Sequence, residues 1–499
     1  MKNNILTIIA LMTLSMTAFS QRYESEIFTE VNVTSNEVYG VNVSVLGGTP
    51  FSDTLKMDVY EPVGDTASER YLIIMAHSGS FIPKGVNTLP FGNKNDSAMM
   101  ELCTQFAKRG WVAAAINYRL GWNPTPDIAG GDQETRASTI IQAVFRSVQD
   151  MSTAVRYFRK DEATTNNFKI DADHIAVGGT NSGGYAALAK GALNKESELN
   201  FAKFLYNNGV SFVSTDTLGD WEGFGGISAL NMENHTGYES DVQLVLNMGG
   251  AIGDSSWIEA LEPPVVNFHG VADALTPYKT QTVIVAATGD AIVEVSGSYV
   301  VAKENAAVGN STVWDTVTFT DPYSARAQAL TSYEGLFPFT GASNGFEPWG
   351  WYDQNDPNIA DSVTVAPGVK VPGSGFGSAA NPFASRTKAL AYIDTVMGYF
   401  SPRAVLAMES VTNTASINDL GEGNGVKAYP NPNKDGKVWV STSKDPILSF
   451  DLFDLQGKMI LSREVRNVGF EITEELESGL YLLQVNFDGY SVQQKLIYE

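Results

Sequence analysis

The sequence contains a single cysteine, Cys103, among its 499 residues. One thiol can form neither an intramolecular disulfide nor a cysteine-rich metal site, so the hydrophobic core must hold the fold together. Basic residues are also scarce, with 33 Lys and Arg against 56 Asp and Glu and a formal net charge of -23. Nucleic-acid binding requires clustered positive charge that displaces counterions from phosphates, and this acidic balance excludes that class of function.

Long apolar runs are missing beyond the first twenty residues, and no later segment reaches the roughly twenty consecutive apolar residues that a membrane helix needs. At the start of the chain, Lys2 precedes an apolar run over residues 5–19 that ends with small residues. This pattern predicts a signal peptide over residues 1–20, with an uncleaved anchor as the alternative. We therefore expect a protein that is exported through the periplasm and has no transmembrane segment.

Apolar strands alternate with helix-like segments through most of the chain. The predicted strands are 55–61, 71–76, 111–118, 173–178, 242–248 and 264–269, and the predicted helices are 99–109, 139–159 and 182–193. Apolar strands joined by helical crossovers are typical of a mostly parallel sheet that is covered on both faces. The sequence therefore predicts a doubly wound α/β domain.

Three segments resemble successive landmarks of the carboxylesterase and lipase branch of the α/β-hydrolases. Residues 55–62 read Leu-Lys-Met-Asp-Val-Tyr-Glu-Pro, residues 77–81 read His-Ser-Gly-Ser-Phe, and residues 117–120 read Asn-Tyr-Arg-Leu. Family members carry His-Gly-Gly-Gly in the second segment, where backbone N–H groups approach the developing oxyanion. The resemblance thus implies oxyanion or ligand binding by His77, Ser78, Gly79 and Ser80. We expect His77 itself to be a hydrogen-bonded structural residue.

The chain departs from the family at the nucleophile elbow, the sharp turn from strand to helix that exposes the catalytic serine. Residues 178–184 read Gly-Gly-Thr-Asn-Ser-Gly-Gly, whereas family members read Gly-x-Ser-x-Gly. Aligning the glycines puts Asn181 at the nucleophile position and leaves Ser182 at the start of the helix, followed by Gly183, a further candidate for oxyanion or ligand binding. Asparagine tolerates positive φ, but its amide cannot carry out acyl transfer. The alternatives for Ser182 are a displaced nucleophile or a backbone N–H donor to an oxyanion.

The histidine and the acid of a catalytic triad would both have to come from the later part of the chain. Four histidines are present and none follows His269, whereas the resemblance places the catalytic histidine after the last strand. Residues 269–277 resemble the family's His-Gly-x-x-Asp-x-x-x-Pro segment, which puts Asp273 at the acid position, with turn capping as the alternative. Acidic residues show no metal-ligand spacing, so we expect neither a metal nor another cofactor.

These losses favour a non-catalytic or strongly impaired pseudohydrolase that binds a small acyl ligand. Removing a nucleophile or a base typically lowers turnover by on the order of 10⁴ to 10⁶. An active ester hydrolase that uses Ser182 is the alternative.

Residues 279–384 are expected to be an insertion in the α/β-hydrolase domain, which would span residues 21–403 and close with a helix over 385–400. Aromatic residues in this insertion are candidates for a lid or binding platform: Phe337, Phe339, Phe346, Trp349 and Trp351. Aromatic rings bury apolar ligand surface or stack on sugars, so a glycan-binding surface protein is a third hypothesis. A small satellite core beneath a long loop is the alternative.

The last part of the chain resembles the type A sorting domain of type IX secretion cargo. The resemblance rests on four motifs, at 428–433 (Ala-Tyr-Pro-Asn-Pro-Asn), 451–458, 476–485 and 494–497. Short alternating strands predict a small all-β sandwich over 427–499, after a linker over 404–426. The resemblance implies recognition by an outer-membrane translocon and a secreted or cell-surface location. An accessory binding sandwich is the alternative.

Overall fold

A computed structural model describes residues 22–84, 91–285, 288–340, 347–351, 363–366, 369–371, 385–411, 426–429, 437–442, 446–454, 458–474, 476–487 and 491–498. The chain divides into two compact units, residues 1–409 and residues 410–499. The predicted signal peptide and Phe346 lie outside the described residues. No helix in the described ranges is long and apolar enough to cross a membrane.

The strands of the first unit are β1 (Val31–Ser44), β2 (Phe51–Pro62), β3 (Arg70–Ala76), β4 (Val112–Ile116), β5 (Ile170–Thr180), β6 (Leu244–Met248), β7 (Ala251–Ile252), β8 (Val265–Gly270), β9 (Thr280–Ile284), β10 (Ala291–Gly297), β11 (Leu336–Phe339), β12 (Val363–Ala366) and β13 (Val369–Val371). The α-helices are α1 (Ser97–Lys108), α2 (Gln133–Thr164), α3 (Ser182–Ala192), α4 (Thr215–Leu218), α5 (Ser298–Val308), α6 (Pro322–Gln328) and α7 (Arg386–Val411). The second unit contains β14 (Val426–Tyr429), β15 (Val438–Thr442), β16 (Ile447–Phe453), β17 (Met459–Asn467), β18 (Gly469–Ile472), β19 (Gly479–Asn486) and β20 (Ser491–Tyr498).

The central sheet of the first unit has eight strands in the order β1-β2-β4-β3-β5-β6-β8-β11. The β1–β2 and β2–β4 pairs are antiparallel, and every pair from β4–β3 to β8–β11 is parallel. This arrangement confirms the predicted mostly parallel sheet. Because parallel strands all end at one edge, the segments after β3, β5, β6, β8 and β11 meet there.

The two faces of the sheet are covered by different helices. Leu72 and Ile74 of β3 belong to a core cluster with α2 and α3, whereas Ile73 and Met75 belong to a cluster with α1 and α7. Side chains of a strand alternate between its faces, so a strand buried on both sides needs apolar residues in succession. The continuous apolar sequence of β3 therefore produces the doubly wound architecture that the sequence predicted.

Two predictions in the second half of the first unit are corrected. Phe337 and Phe339 lie in β11, with 1% and 3% of their surface exposed, so the prediction that they belong to a lid is wrong. They stack with Phe268 of β8 at 5.9 and 6.3 Å, and their aromatic character fills the core at this end of the sheet. Helix α7 continues through residues 404–411 of the segment predicted as a linker, because Ala404 and Met408 still bury their side chains.

The second unit consists of two packed antiparallel sheets. One has the strand order β14-β15-β18 and the other β17-β16-β19-β20. Phe450 from the second sheet stacks on Phe470 from the first with ring centroids 4.2 Å apart, and both belong to one core cluster. The predicted small all-β sandwich is therefore confirmed.

Candidate active site at the turn between β5 and α3

Asn181 occupies the apex of the turn between β5 and α3, with φ 48° and ψ -108°. The turn is sharp because the helix packs directly on the sheet. A Cβ atom on Gly183 would lie 2.0 Å from the Ala76 carbonyl oxygen, and one on Gly179 would lie 2.2 Å from the Gly183 carbonyl carbon. Glycine at these two positions therefore permits the approach that forces Asn181 into its strained conformation.

The side chain of Asn181 is held in one orientation. Its Nδ2 donates a hydrogen bond of 3.1 Å to Thr276 Oγ1, and its backbone N–H donates to the Met248 carbonyl at 2.7 Å. Only 5% of the residue is exposed. The position that carries a nucleophile in the esterase resemblance thus holds a fixed amide.

The hydroxyl of Ser182 is bonded within the protein rather than presented at the apex. Ser182 is the first residue of α3, and its Oγ accepts a hydrogen bond of 3.2 Å from the Ser80 N–H. Tyr118 donates its own proton to the His77 carbonyl at 2.7 Å, so Ser182 is the donor in its 3.2 Å contact with Tyr118 Oη. Burial raises the pKa of Tyr118 above its usual range, so this acceptor is a neutral phenol.

The segment after β3 forms the other wall of the site. Gly79, Ser80 and Phe81 have positive φ values of 122°, 56° and 56°, so the chain curls back above Ser182. The Ser80 N–H, one of the expected oxyanion donors, is directed at Ser182 Oγ. Ser78 lies here too and is 2% exposed.

His77 has a structural role. Its Nδ1 lies 2.5 Å from the Ser78 carbonyl oxygen, which can only accept, so Nδ1 carries the proton. The ring stacks on Tyr118 with centroids 4.5 Å apart. Burial lowers the pKa of His77 to about 4, which keeps the imidazole neutral at physiological pH.

Asp273 faces His269, but the pair is not arranged for proton relay to the turn. Asp273 Oδ1 accepts the N–H groups of Leu275 and Thr276 at 2.8 and 3.0 Å, which is the geometry of a turn cap. His269 Nε2 lies 3.1 Å from the Thr276 carbonyl oxygen, so Nε2 carries the proton, and its Nδ1 accepts from Ser298 at 2.7 Å. Burial lowers the pKa of His269 to about 4 and raises that of Asp273 to about 7.

The other two imidazoles have partners of their own. His235 Nε2 lies 2.8 Å from the Tyr39 carbonyl oxygen, and His174 stacks on Tyr71 and pairs with Asp171 at 2.6 Å. Among the hydrogen bonds of the described residues, none joins any imidazole to Asn181 or Ser182. The described part of the chain also has no group of three or more His, Cys, Asp or Glu side chains placed to hold a metal ion.

The site includes one acid that the sequence did not indicate. Glu347 lies in the segment after β11, is 4% exposed and has φ 46°. Burial raises the pKa of Glu347 to about 8; the polar side chain of Ser78 opposes this shift, and the carboxylates of Asp96 and Asp273 add to it. A carboxyl that is protonated at neutral pH therefore lies in the part of the chain where the resemblance expects a histidine. The one sequence signal for Glu347 is its position after β11, the last strand of the central sheet.

The remaining candidate lid residues differ in exposure. Trp349 is 1% exposed and lies against Gly249, where an added Cβ would be 3.3 Å from the indole. Gly249 directly follows Met248, the acceptor of the Asn181 N–H. Trp351 is partly buried against the same core cluster. Trp349 thus covers the carboxyl end of β6 close to the turn and is itself inaccessible to ligand.

Two family models match separate parts of the chain. Residues 134–288, which include the turn and the acid position, match the family model described as BD-FAE. Residues 427–499 match the secretion system C-terminal sorting domain. The chain joins an α/β-hydrolase domain to a secretion sorting domain. Both resemblances that the sequence suggested are therefore confirmed, and the sorting domain indicates export to the cell surface or the medium.

Solved structures of an esterase resemble the α/β-hydrolase domain distantly. They include Thermogutta terrifontis esterase 2 with bound butyrate, which is 16% identical, with 80% of this chain and 100% of that chain covered and a TM-score of 0.37. The propionate-bound form is 16% identical, with 67% and 90% coverage and a TM-score of 0.34. The form phosphoramylated by tabun is 17% identical, with 66% and 89% coverage and a TM-score of 0.36. No curated protein matches the chain.

Proposed function

We propose that this exported α/β-hydrolase domain is a pseudohydrolase that binds a small acyl compound at the turn between β5 and α3 and does not cleave it. The observation that carries the proposal is the amide of Asn181 at the apex, locked to Thr276. An amide nitrogen has no reactive lone pair, so it cannot form an acyl-enzyme. The backbone N–H of Ser182 lies at the N-terminus of an eleven-residue helix, where the helix dipole favours a ligand oxygen.

Hydrolysis through Ser182 is the second candidate, and its hydrogen bonds argue against it. The Ser182 proton goes to a neutral phenol, which is a far weaker base than an imidazole. Its oxygen accepts the Ser80 N–H, so attack would require this contact to break. Glu347 is protonated at neutral pH and cannot act as the base there. Glycan binding by the aromatic segment has less support, because Trp349 is buried.

Hydrolysis of 4-nitrophenyl butyrate by the purified full chain and by its Ser182→Ala variant tests the absence of catalysis. We expect both proteins to release nitrophenol at the same rate, no faster than a buffer control. Faster release by the wild type than by the variant would overturn the proposal and favour the Ser182 hydrolase.

Calorimetric titration with butyramide, a neutral carbonyl compound of similar size, tests the binding half. We expect saturable binding to the wild type and a loss of affinity of at least about tenfold in Asn181→Leu, since each interaction worth 1.4 kcal/mol changes affinity tenfold. No binding to the wild type, or equal binding to both proteins, would contradict a ligand at this turn.

A further inference from the structure

Two buried arginine side chains lie next to each other in the α/β-hydrolase domain. Arg119 follows β4 and is 0% exposed, and Arg146 lies in α2 and is 2% exposed. The backbone N–H and the Nε of Arg119 donate to the two carboxylate oxygens of Asp150 at 2.7 and 2.8 Å. Its other two nitrogens donate to the Val43 and Arg146 carbonyls and to the Gln149 side chain. Every nitrogen of the Arg119 side chain therefore has an acceptor.

The guanidinium of Arg146 is not satisfied in the same way. Its Nε and Nη2 are buried, and neither atom has a hydrogen-bond partner among the described residues. Asp150 acts on Arg146 through its charge but forms its ion pair with Arg119. Burial, and after it the charge of Arg119, lowers the pKa of Arg146 to about 9, so this side chain is still charged at neutral pH. A buried charge without a partner destabilises the folded state, and an acceptor for these two nitrogens would relieve that cost.

The two unpartnered nitrogens form one edge of the guanidinium plane. The N–H groups of Nε and Nη2 on this edge are parallel, and their spacing matches the two oxygens of a carboxylate. A neutral amide or a hydroxyl could accept only one of these hydrogen bonds through a single oxygen. The free edge of Arg146 therefore favours a planar anion with two oxygens.

Gly121 leaves the side of this edge open. Gly121 has φ 137°, and a Cβ atom on it would lie 3.0 Å from Arg146 Nη2, with Val45 Cγ2 the next nearest contact at 3.7 Å. Any other residue at position 121 would place its side chain against Nη2. Val45 and Gly121 are both partly exposed, and residues 46–50 are exposed. The unpartnered edge of Arg146 is therefore close to the protein surface.

We propose that Arg146 binds a small carboxylate beside Gly121, with Nε and Nη2 donating to its two oxygens. The site is specific to this arginine, because a protein with a net charge of -23 repels anions over most of its surface. The inference goes beyond the proposed function, since it requires nothing of Asn181 or Ser182.

Saturation-transfer NMR of the full chain with sodium acetate, at pH 7.5 and constant ionic strength, tests the site. We expect an acetate signal that saturates with concentration. Arg146→Met removes the donors and should weaken acetate binding at least about tenfold. Arg146→Lys keeps the positive charge but not the paired N–H groups, and it should weaken binding to a similar extent. Circular dichroism of each variant checks that it is folded.

A second variant keeps Arg146 and changes only its surroundings. Gly121→Ala places a methyl group 3.0 Å from Nη2 and should weaken acetate binding about tenfold or more. Gly130→Ala is the matched control, because Gly130 also has positive φ, at 83°, but no atom lies within 4 Å of an added Cβ. This control should bind acetate like the wild type.

Asn181→Leu separates this site from the turn between β5 and α3. It should lose butyramide binding and keep acetate binding, so failure of the proposed function and failure of the Arg146 site give different results. No saturable acetate signal from the wild type, or wild-type affinity in both Arg146→Met and Gly121→Ala, would overturn the inference. Loss of acetate binding in Asn181→Leu with full affinity in Arg146→Met would also overturn it.

Discussion

Asn181 and Thr276 are joined by a hydrogen bond of 3.1 Å from the amide Nδ2 to the hydroxyl Oγ1, across the edge where β5 and β8 both end. This contact links the apex of the turn to the loop that carries the acid position. In an active hydrolase a nucleophile at this apex must be accessible and must meet a base. Here the apex is a buried amide whose partner is a neutral hydroxyl, so the two loops stabilise each other instead of assembling a reactive group.

The first prediction concerns the stability provided by this contact. Thr276→Val removes the acceptor and leaves a buried amide donor unsatisfied, which should lower the free energy of unfolding by roughly 1 to 3 kcal/mol. Thr276→Ser keeps the hydroxyl and should lose less. Urea unfolding followed by tryptophan fluorescence measures both variants, and an equal loss in the two would show that the hydroxyl is not the important group.

The second prediction concerns Glu347. An unfolded glutamate releases its proton near pH 4.3, whereas Glu347 in the folded protein retains it to about pH 8. Between these pH values the folded protein keeps the Glu347 proton and the unfolded protein has released it, so raising the pH favours unfolding. The stabilising contribution of Glu347 is therefore complete below about pH 4 and is lost as the pH rises to about 8. The wild type should therefore lose on the order of 4 kcal/mol more than Glu347→Gln between about pH 5 and pH 9.

Urea midpoints measured across this pH range test the Glu347 prediction. Glu69→Gln, at an exposed position of the same unit, should follow the wild type. The carboxyl groups of Asp96 and Asp273 also have raised pKa values and repel the charge of Glu347, so the difference between the wild type and Glu347→Gln includes this repulsion as well as the burial of Glu347. Identical pH dependence in Glu347→Gln and the wild type would contradict the buried, protonated state of Glu347.

The third prediction concerns export. Deleting residues 427–499 removes the sorting domain, and the rest of the protein should then accumulate inside the cell envelope instead of at the surface or in the medium. Fractionation and immunoblotting of the native host measure this distribution. A reporter that carries a signal peptide and residues 427–499 is the complementary control and should be exported. Unchanged export of the truncated protein would show that the signal lies elsewhere.

The sequence predicted most of the sheet because its strands are buried on both faces. The residues of β3 and β4 form continuous apolar runs, which fix both their conformation and their central position. The glycine spacing around Asn181 likewise located the turn, since Gly179 and Gly183 are required by close backbone contacts that no other residue would allow. Local patterns were sufficient wherever burial or backbone geometry determined the residue type.

The features that the sequence did not reveal depend on contacts between distant segments. Phe337 and Phe339 form an ordinary core strand, and their aromatic density indicated a lid only because the pairing of β11 with β8 was unknown. Glu347 has no local signal of burial, since its pKa depends on packing against segments from other parts of the chain.

The most direct test of the account is covalent labelling by a fluorophosphonate, which phosphonylates serines that act as nucleophiles. Full-length protein incubated with excess reagent at pH 7 to 8 is examined by intact mass spectrometry, with an active serine esterase treated in parallel. We predict an unchanged mass for this protein and full labelling of the esterase. Stoichiometric labelling that maps to Ser182 and disappears in Ser182→Ala would contradict it.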